Sequence, residues 1–319
     1  MNTYVIKRFM LFVPTLLLVT LMVFALMRLV PGDPAELLLM GFEGDGQYSA
    51  QQLADLRAKL GTDRPLAIQY LDWIWGMLRG DFGVSMYFDT PIAEDLGAKL
   101  PITLELAALA LLLAFVVAMP LGVVSAVRQD TIADYASRII AIAGVAMPTF
   151  WIGILVVYFL VTWFDWLPPL GYADLWEDPW RNLQQMVFPA IALGFYNMAL
   201  IARVTRSSML EVFREDYIRT ARSKGLRERA IIIRHALKNA FLPILTISGW
   251  QIGRLIAGTV VIETIFLVPG MGRLLVDSIL HRDYTMIQSI VMVIAFMVLA
   301  LNLVVDLLYA WLDPRIRYE

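Results

Sequence analysis

The chain has 319 residues, of which 59% are hydrophobic and only 17% charged, and its mean hydropathy is +0.68. That apolar excess is more than one soluble core of this length hides, which rules out disorder and fibrous repeats and argues against a soluble enzyme. With no cysteine, two histidines far apart and a net charge of −2, neither a disulfide framework nor a thiolate or histidine metal site is expected.

About 20 apolar residues in a helix cross a bilayer core. Six stretches qualify: Phe9–Val30, Ile102–Val127, Ile139–Phe164, Met186–Ala202, Phe241–Val268 and Met286–Leu312. The expected fold is therefore an all-α polytopic membrane protein with six transmembrane helices. The first stretch follows Lys7 and Arg8, but it is too long for a signal-peptide core and no small-x-small cleavage site follows, so it reads as an uncleaved span. Pro14, Pro120 and Pro148 lie within spans, and Pro189 and Pro243 near the ends of others. They are either tolerated kinks or bends beside a pathway.

Lysine and arginine set the orientation. With the N-terminus in the cytoplasm, the cytoplasmic segments hold 16 of the 26 basic residues and the outside segments 8, while Arg28 and Arg254 lie inside spans. The outside loop over 31–101 is acidic, with 11 Asp/Glu against 5 Lys/Arg. Both termini are thus expected in the cytoplasm of a multi-pass inner-membrane protein. The chain divides into the first span with its short N-terminus (1–30), the external loop (31–101), a five-span core (102–312) containing a cytoplasmic loop over 203–240, and a tail (313–319).

In the external loop, Pro31-Gly32-Asp33-Pro34 ends the first span. Ser49 followed by Gln52 is a capping-box pattern that opens a helix ending at Gly61. Pro65 suits the first turn of a second helix, with Leu71, Ile74 and Leu78 on one stripe and Gly80 past its end. Tyr70, Trp73 and Trp75 are aromatics of the kind found at headgroup level. Two short amphipathic helices on the outer membrane face follow, serving either as packing for the spans or as a dock for an external partner.

The cytoplasmic stretch Arg203–Lys238 carries ten basic and four acidic residues. Asp216 is placed to cap a short helix, Lys224 to meet its C-terminal dipole, and Gly225 to supply a left-handed stop. The result is a rigid peg of about two turns, roughly 12 Å long. A basic anchor on anionic lipid would explain the charge but not the capping.

Here the sequence resembles a family. Glu215-Asp216-Tyr217-Ile218-Arg219-Thr220-Ala221-Arg222-Ser223-Lys224-Gly225-Leu226, with Arg234-His235-Ala236-Leu237-Lys238-Asn239-Ala240 and Pro243, is similar to the coupling loop of ABC importer permeases of the peptide/nickel subfamily. Further matches are Gly80-Asp81-Phe82-Gly83-Val84-Ser85, Thr205-Arg206-Ser207-Ser208-Met209, Glu263-Thr264-Ile265-Phe266 and Pro269-Gly270-Met271-Gly272-Arg273. Near the C-terminus, Asp306-Leu307-Leu308-Tyr309 and Asp313-Pro314-Arg315 fit as well. The order resembles the first of the two permeases in dipeptide and oligopeptide importers. One departure is Arg219-Thr220-Ala221, where the wider family has Glu-Ala-Ala.

The resemblance implies a type I ABC importer permease fold with a cytoplasmic coupling helix. It implies a second homologous permease subunit, two ATPase subunits and an extracytoplasmic substrate-binding protein as partners, besides membrane lipid; nucleic acid is not expected. ATP and Mg would be bound by the ATPases, since the chain has no G-x-x-x-x-G-K-[S/T] phosphate loop. No catalytic residue and no cofactor of its own are assigned. Asp216, Tyr217, Arg219, Thr220, Ala221, Lys224 and Gly225 would couple to an ATPase. Charges inside or beside spans are costly and often functional, so Arg254, Glu263, Arg273 and Asp306 are candidates for a substrate path or gate. Nickel, glutathione, opine or oligosaccharide cargo fits the same class as peptides. An ion-driven secondary transporter would show internal repeats and paired carboxylates in its spans, and no such repeat is visible.

Overall fold

The computed structural model describes residues 2–29, 32–40, 47–169 and 171–312. Val30 and Pro31 at the end of the first span, and the tail over 313–319, lie outside the described residues. In chain order the helices begin with α1 (Asn2–Leu29), α2 (Pro34–Met40), α3 (Ala50–Leu60) and α4 (Leu66–Leu78). Next come α5 (Ile92–Val127), α6 (Ile132–Ala146), α7 (Thr149–Phe164), α8 (Pro179–Val212) and α9 (Asp216–Ser223). α10 (Glu228–Ala230) runs through a π-helical turn (Ile231–Leu237) into α11 (Lys238–Phe266), followed by α12 (Met271–Leu280) and α13 (Tyr284–Leu312). Among the described residues the only extended pairing is the isolated bridge Val84–Pro91.

Among the described residues five helical segments are long and apolar enough to cross a membrane, and a bent pair, counted as one span, would make a sixth. That pair corrects the third expected span. Ile139–Phe164 is not one helix: α6 and α7 meet at 111° across Met147 and Pro148. Proline has no N–H to continue the ladder, and its ring pushes the preceding residue out of the helical region. Met147 accordingly sits at φ −86°, ψ 130°, and α7 starts afresh on the Pro148 carbonyl. Pro14, Pro189 and Pro243 instead lie inside continuous helices. Two helices also run past their expected spans. α5 starts at Ile92, ahead of Ile102, and α8 overshoots Met186–Ala202 at both ends.

The chain forms two compact units, 1–101 with 270–303 and 102–269 with 304–319. In the first, the capping box is complete: Gln52 N donates to Ser49 Oγ at 3.2 Å and Ser49 N to Gln52 Oε1 at 2.8 Å. Gly61 closes α3 at φ 67°. Pro65 takes the N-cap position of α4 rather than its first turn. The Leu71 and Leu78 stripe stays exposed, while Tyr70 and Trp73 pack on Phe24 of α1 with ring centroids 5.4 and 6.0 Å away. The buried Asp283 caps α13, accepting from Met286 N at 3.0 Å, and also holds Ser85 and the Tyr87 amide.

In the second unit α8 is the buried axis, packed by α6, α7 and α11. Glycine makes two of these approaches possible. A Cβ at Gly194 would meet the Ala110 carbonyl oxygen of α5 at 2.6 Å, and one at Gly144 of α6 would meet the Ala199 Cβ at 2.6 Å. A core of Leu106, Ala110, Ile152, Leu193, Leu255, Ile262 and neighbours fills the seam.

Candidate functional site: the coupling helix and its support

The peg exists, over Asp216–Ser223, and its capping differs from expectation at one end. Helical geometry begins at Asp216, so the N-cap is Glu215 (φ −68°, ψ 144°), with no side-chain cap bond. Asp216 is therefore not the capping residue. The Glu215 carbonyl already receives the Ile218 and Arg219 amides, and the Asp216 carboxylate sits in the first turn, accepting from Arg219 Nη1 at 3.2 Å. Its charge still suits the positive end of the helix dipole.

The C-terminal stop is as the sequence suggested. Gly225 lies at φ 72°, the Gly225 amide donates to the Arg222 carbonyl at 2.9 Å, and Leu226 N donates to the Ala221 carbonyl at 3.3 Å. Those two bonds make a Schellman motif, which satisfies carbonyls that a helix end otherwise leaves open. Lys224 occupies the C-cap, where its charge complements the dipole.

α9 is seated by two side chains. Ile218 is fully buried and Ala221 nearly so, in a core with Ala126, Met209, Ile231, Ala236 and Ala240. Ala221 is thus part of the seat, not of the outer face. Asp216, Tyr217, Arg219, Thr220, Lys224 and Gly225 are exposed together on that outer face. Tyr217 is tied back by Asn239 Nδ2, which donates to its hydroxyl at 2.7 Å. Arg222 pairs with Glu228 at 2.7 Å across the connecting turn. The Glu228 carboxylate raises the Arg222 pKa further, so this charge persists at any accessible pH.

Two supports were not foreseen. The first is the π-helical turn Ile231–Leu237 behind the peg. It contains three successive β-branched isoleucines, which crowd an ordinary helix, and π-turns concentrate at functional sites. The second is a buried ion pair. Asp134 of α6 is fully buried and accepts from Arg206 of α8 through both oxygens, at 2.8 and 2.9 Å. It also accepts from Ser125 Oγ at 2.5 Å and from the Asp130 amide at 3.1 Å. One carboxylate so joins α5, α6, α8 and the turn between α5 and α6. Arg206 belongs to a recognisable motif; nothing in the sequence around Asp134 marked it.

Arg254 and Glu263 share α11 nine residues apart, about 13.5 Å along the axis. Arg254 is exposed, lies 4.7 Å over the Tyr196 ring and donates to its hydroxyl at 3.2 Å. Glu263 is fully buried and accepts from Thr103 Oγ1 at 2.7 Å. Arg273 lies in the other unit, on α12, with Asp277 at 3.9 Å. Asp306 is half-buried on α13.

Known proteins match this sequence over the whole chain. Residues 118–318 match the family model described as binding-protein-dependent transport system inner membrane component, and residues 1–107 match the N-terminal model of such membrane components. A putative peptide transport system permease protein of Brucella abortus is 39% identical over 319 residues, with both chains covered completely. The dipeptide transport system permease protein DppB of Escherichia coli K12 is 39% identical, again over 100% of each chain. Among solved structures, the MetNI methionine ABC transporter in an inward-facing conformation aligns with TM-score 0.57 and 16% identity. That alignment covers 70% of this chain and 98% of the other, a likeness of fold.

Proposed function

The chain belongs to the family of binding-protein-dependent transport system inner membrane components, and from that premise we propose that it carries peptides and takes its driving force through α9. It is a multi-pass permease of a binding-protein-dependent ABC importer, so it works with ATPase and substrate-binding partners. The finer assignments are the proposal. Short peptides are the cargo, a reading supported by full-length relatives named for peptide and dipeptide transport. A second, related permease supplies the other half of the pathway. Two ATPases bind ATP and Mg, and this chain hydrolyses nothing. The termini and residues 203–240 face the cytoplasm, and the loop over 31–101 faces the binding protein. Arg254, Glu263, Arg273 and Asp306 are offered as contributors to the path or its gate.

The observation that carries the coupling role is the construction of α9. An eight-residue helix isolated in water would not hold. Here a buried seat and a Schellman stop fix it, while its outer face stays open. A fixed element transmits a displacement that a flexible loop would absorb. ATP-dependent uptake of a labelled dipeptide into proteoliposomes tests the function. The full assembly should accumulate it, and the same assembly lacking this chain should not. Accumulation without the chain, or of none of a panel of short peptides with it, would count against the reading.

A further inference from the structure

Beside the Asp134–Arg206 pair, and apart from the coupling helix, a cavity of about 230 Å³ opens between α5, α6 and α8. Its polar side is formed by Arg138, Arg203 and Arg206, and its apolar wall by Leu121, Ala141 and Ile142. The three arginines are not equivalent. Arg206 is neutralised by the buried Asp134. Arg138 and Arg203 are exposed, and among the described residues neither has a carboxylate partner; Arg138 instead lies 5.5 Å over the Tyr135 ring. Two uncompensated guanidinium groups therefore converge on a pocket whose inner wall is hydrocarbon.

The surface leading to the pocket is also apolar. Ile132, Tyr135, Ile139 and Ile142 recur at one-face spacing along α6, and all four are exposed, by 87%, 52%, 66% and 61%. A helix that leaves such a stripe uncovered in a membrane protein faces lipid tails or another helix. We propose that this pocket binds the phosphate of an anionic phospholipid. The phosphodiester sits between Arg138 and Arg203, and the first part of an acyl chain lies along the α6 stripe. A guanidinium is the side chain best suited to hold phosphate oxygens in pairs. Tyr135, exposed beside Arg138, is an aromatic of the kind that membrane interfaces favour. A soluble phosphate compound would satisfy the arginines but leave the apolar wall and stripe unused. The assignment does not depend on cargo, on α9 or on which leaflet the pocket faces.

The test uses the complete importer, purified in detergent and titrated with phosphatidylglycerol or phosphatidylcholine, with bound lipid counted by native mass spectrometry. Phosphatidylglycerol should be retained and phosphatidylcholine should not. Arg138→Gln and Arg203→Gln should each weaken retention about fivefold, and the pair about 25-fold, from the usual attraction per basic residue at an anionic surface. Both side chains are exposed on this chain, so its own fold is not at stake. The control pair Arg214→Gln with Arg234→Gln removes the same charge elsewhere and should leave retention unchanged. Equal loss in the control, or no loss in the pocket pair, would overturn the proposal. So would equal binding of phosphatidylcholine. Displacement of the lipid by millimolar glycerol 3-phosphate would assign the pocket to a soluble phosphate instead. Absence of bound lipid from the wild-type assembly would overturn the proposal too.

Discussion

Replacing Gly225 by valine should lower ATP-driven uptake at least tenfold while the spans insert normally. Gly225 lies at φ 72°, and a Cβ there would meet nothing within 4 Å, so the effect is one of backbone conformation and not of crowding. A left-handed conformation costs an ordinary L-residue about 1–2 kcal/mol, and a β-branched one more. Burial of Ile218, the main anchor of α9, contributes about 1.5–3 kcal/mol. The two are comparable, so valine takes away most of what holds the helix end, and both Schellman bonds go with it. Asparagine tolerates the left-handed region. Gly225→Asn should therefore keep most of the uptake that Gly225→Val loses. Arg219→Glu supplies a complementary case. Its side chain is largely exposed, so the fold should not notice, yet reversed charge on the outer face should reduce uptake and ATPase association. Measuring uptake and membrane content for all three variants checks the prediction.

Asp134→Ala should destabilise the importer by about 3 kcal/mol, the cost of stranding one partner of a buried ion pair. The charge that remains, on Arg206, still reaches water at the pocket rim, which places the effect at the lower end of the usual range. Ser125 Oγ and the Asp130 amide lose their acceptor as well. Because the groups form one network, the Asp134→Ala, Arg206→Ala double variant should be no less stable than Asp134→Ala alone. Additive losses in thermal unfolding of the purified assembly would show that the two side chains act separately.

The features legible in the sequence were those written in local chemistry. Long apolar runs gave the spans, and the positive φ at Gly225 and the reciprocal Ser49–Gln52 cap followed from residue types at fixed offsets. The Met147–Pro148 break is not legible in the sequence, because proline inside a membrane helix kinks or breaks it depending on its neighbours. Pro243 continues a helix and Pro148 ends one, and the two look alike in sequence. The Asp134–Arg206 pair joins residues 72 positions apart and has no local signature. Gly144 and Gly194 are likewise explained only by what packs against them.

The central claim is that α9 is the point of contact with an ATPase, and thiol-to-amine crosslinking tests it most directly. The chain has no cysteine, so a single one introduced at the exposed Ser223 is unambiguous, and one at Ser49 in the loop over 31–101 serves as comparison. In membranes holding the assembled importer, Ser223→Cys should crosslink to an ATPase subunit and Ser49→Cys should not. Failure of Ser223→Cys to form that adduct, or the same adduct from Ser49→Cys, would contradict the account.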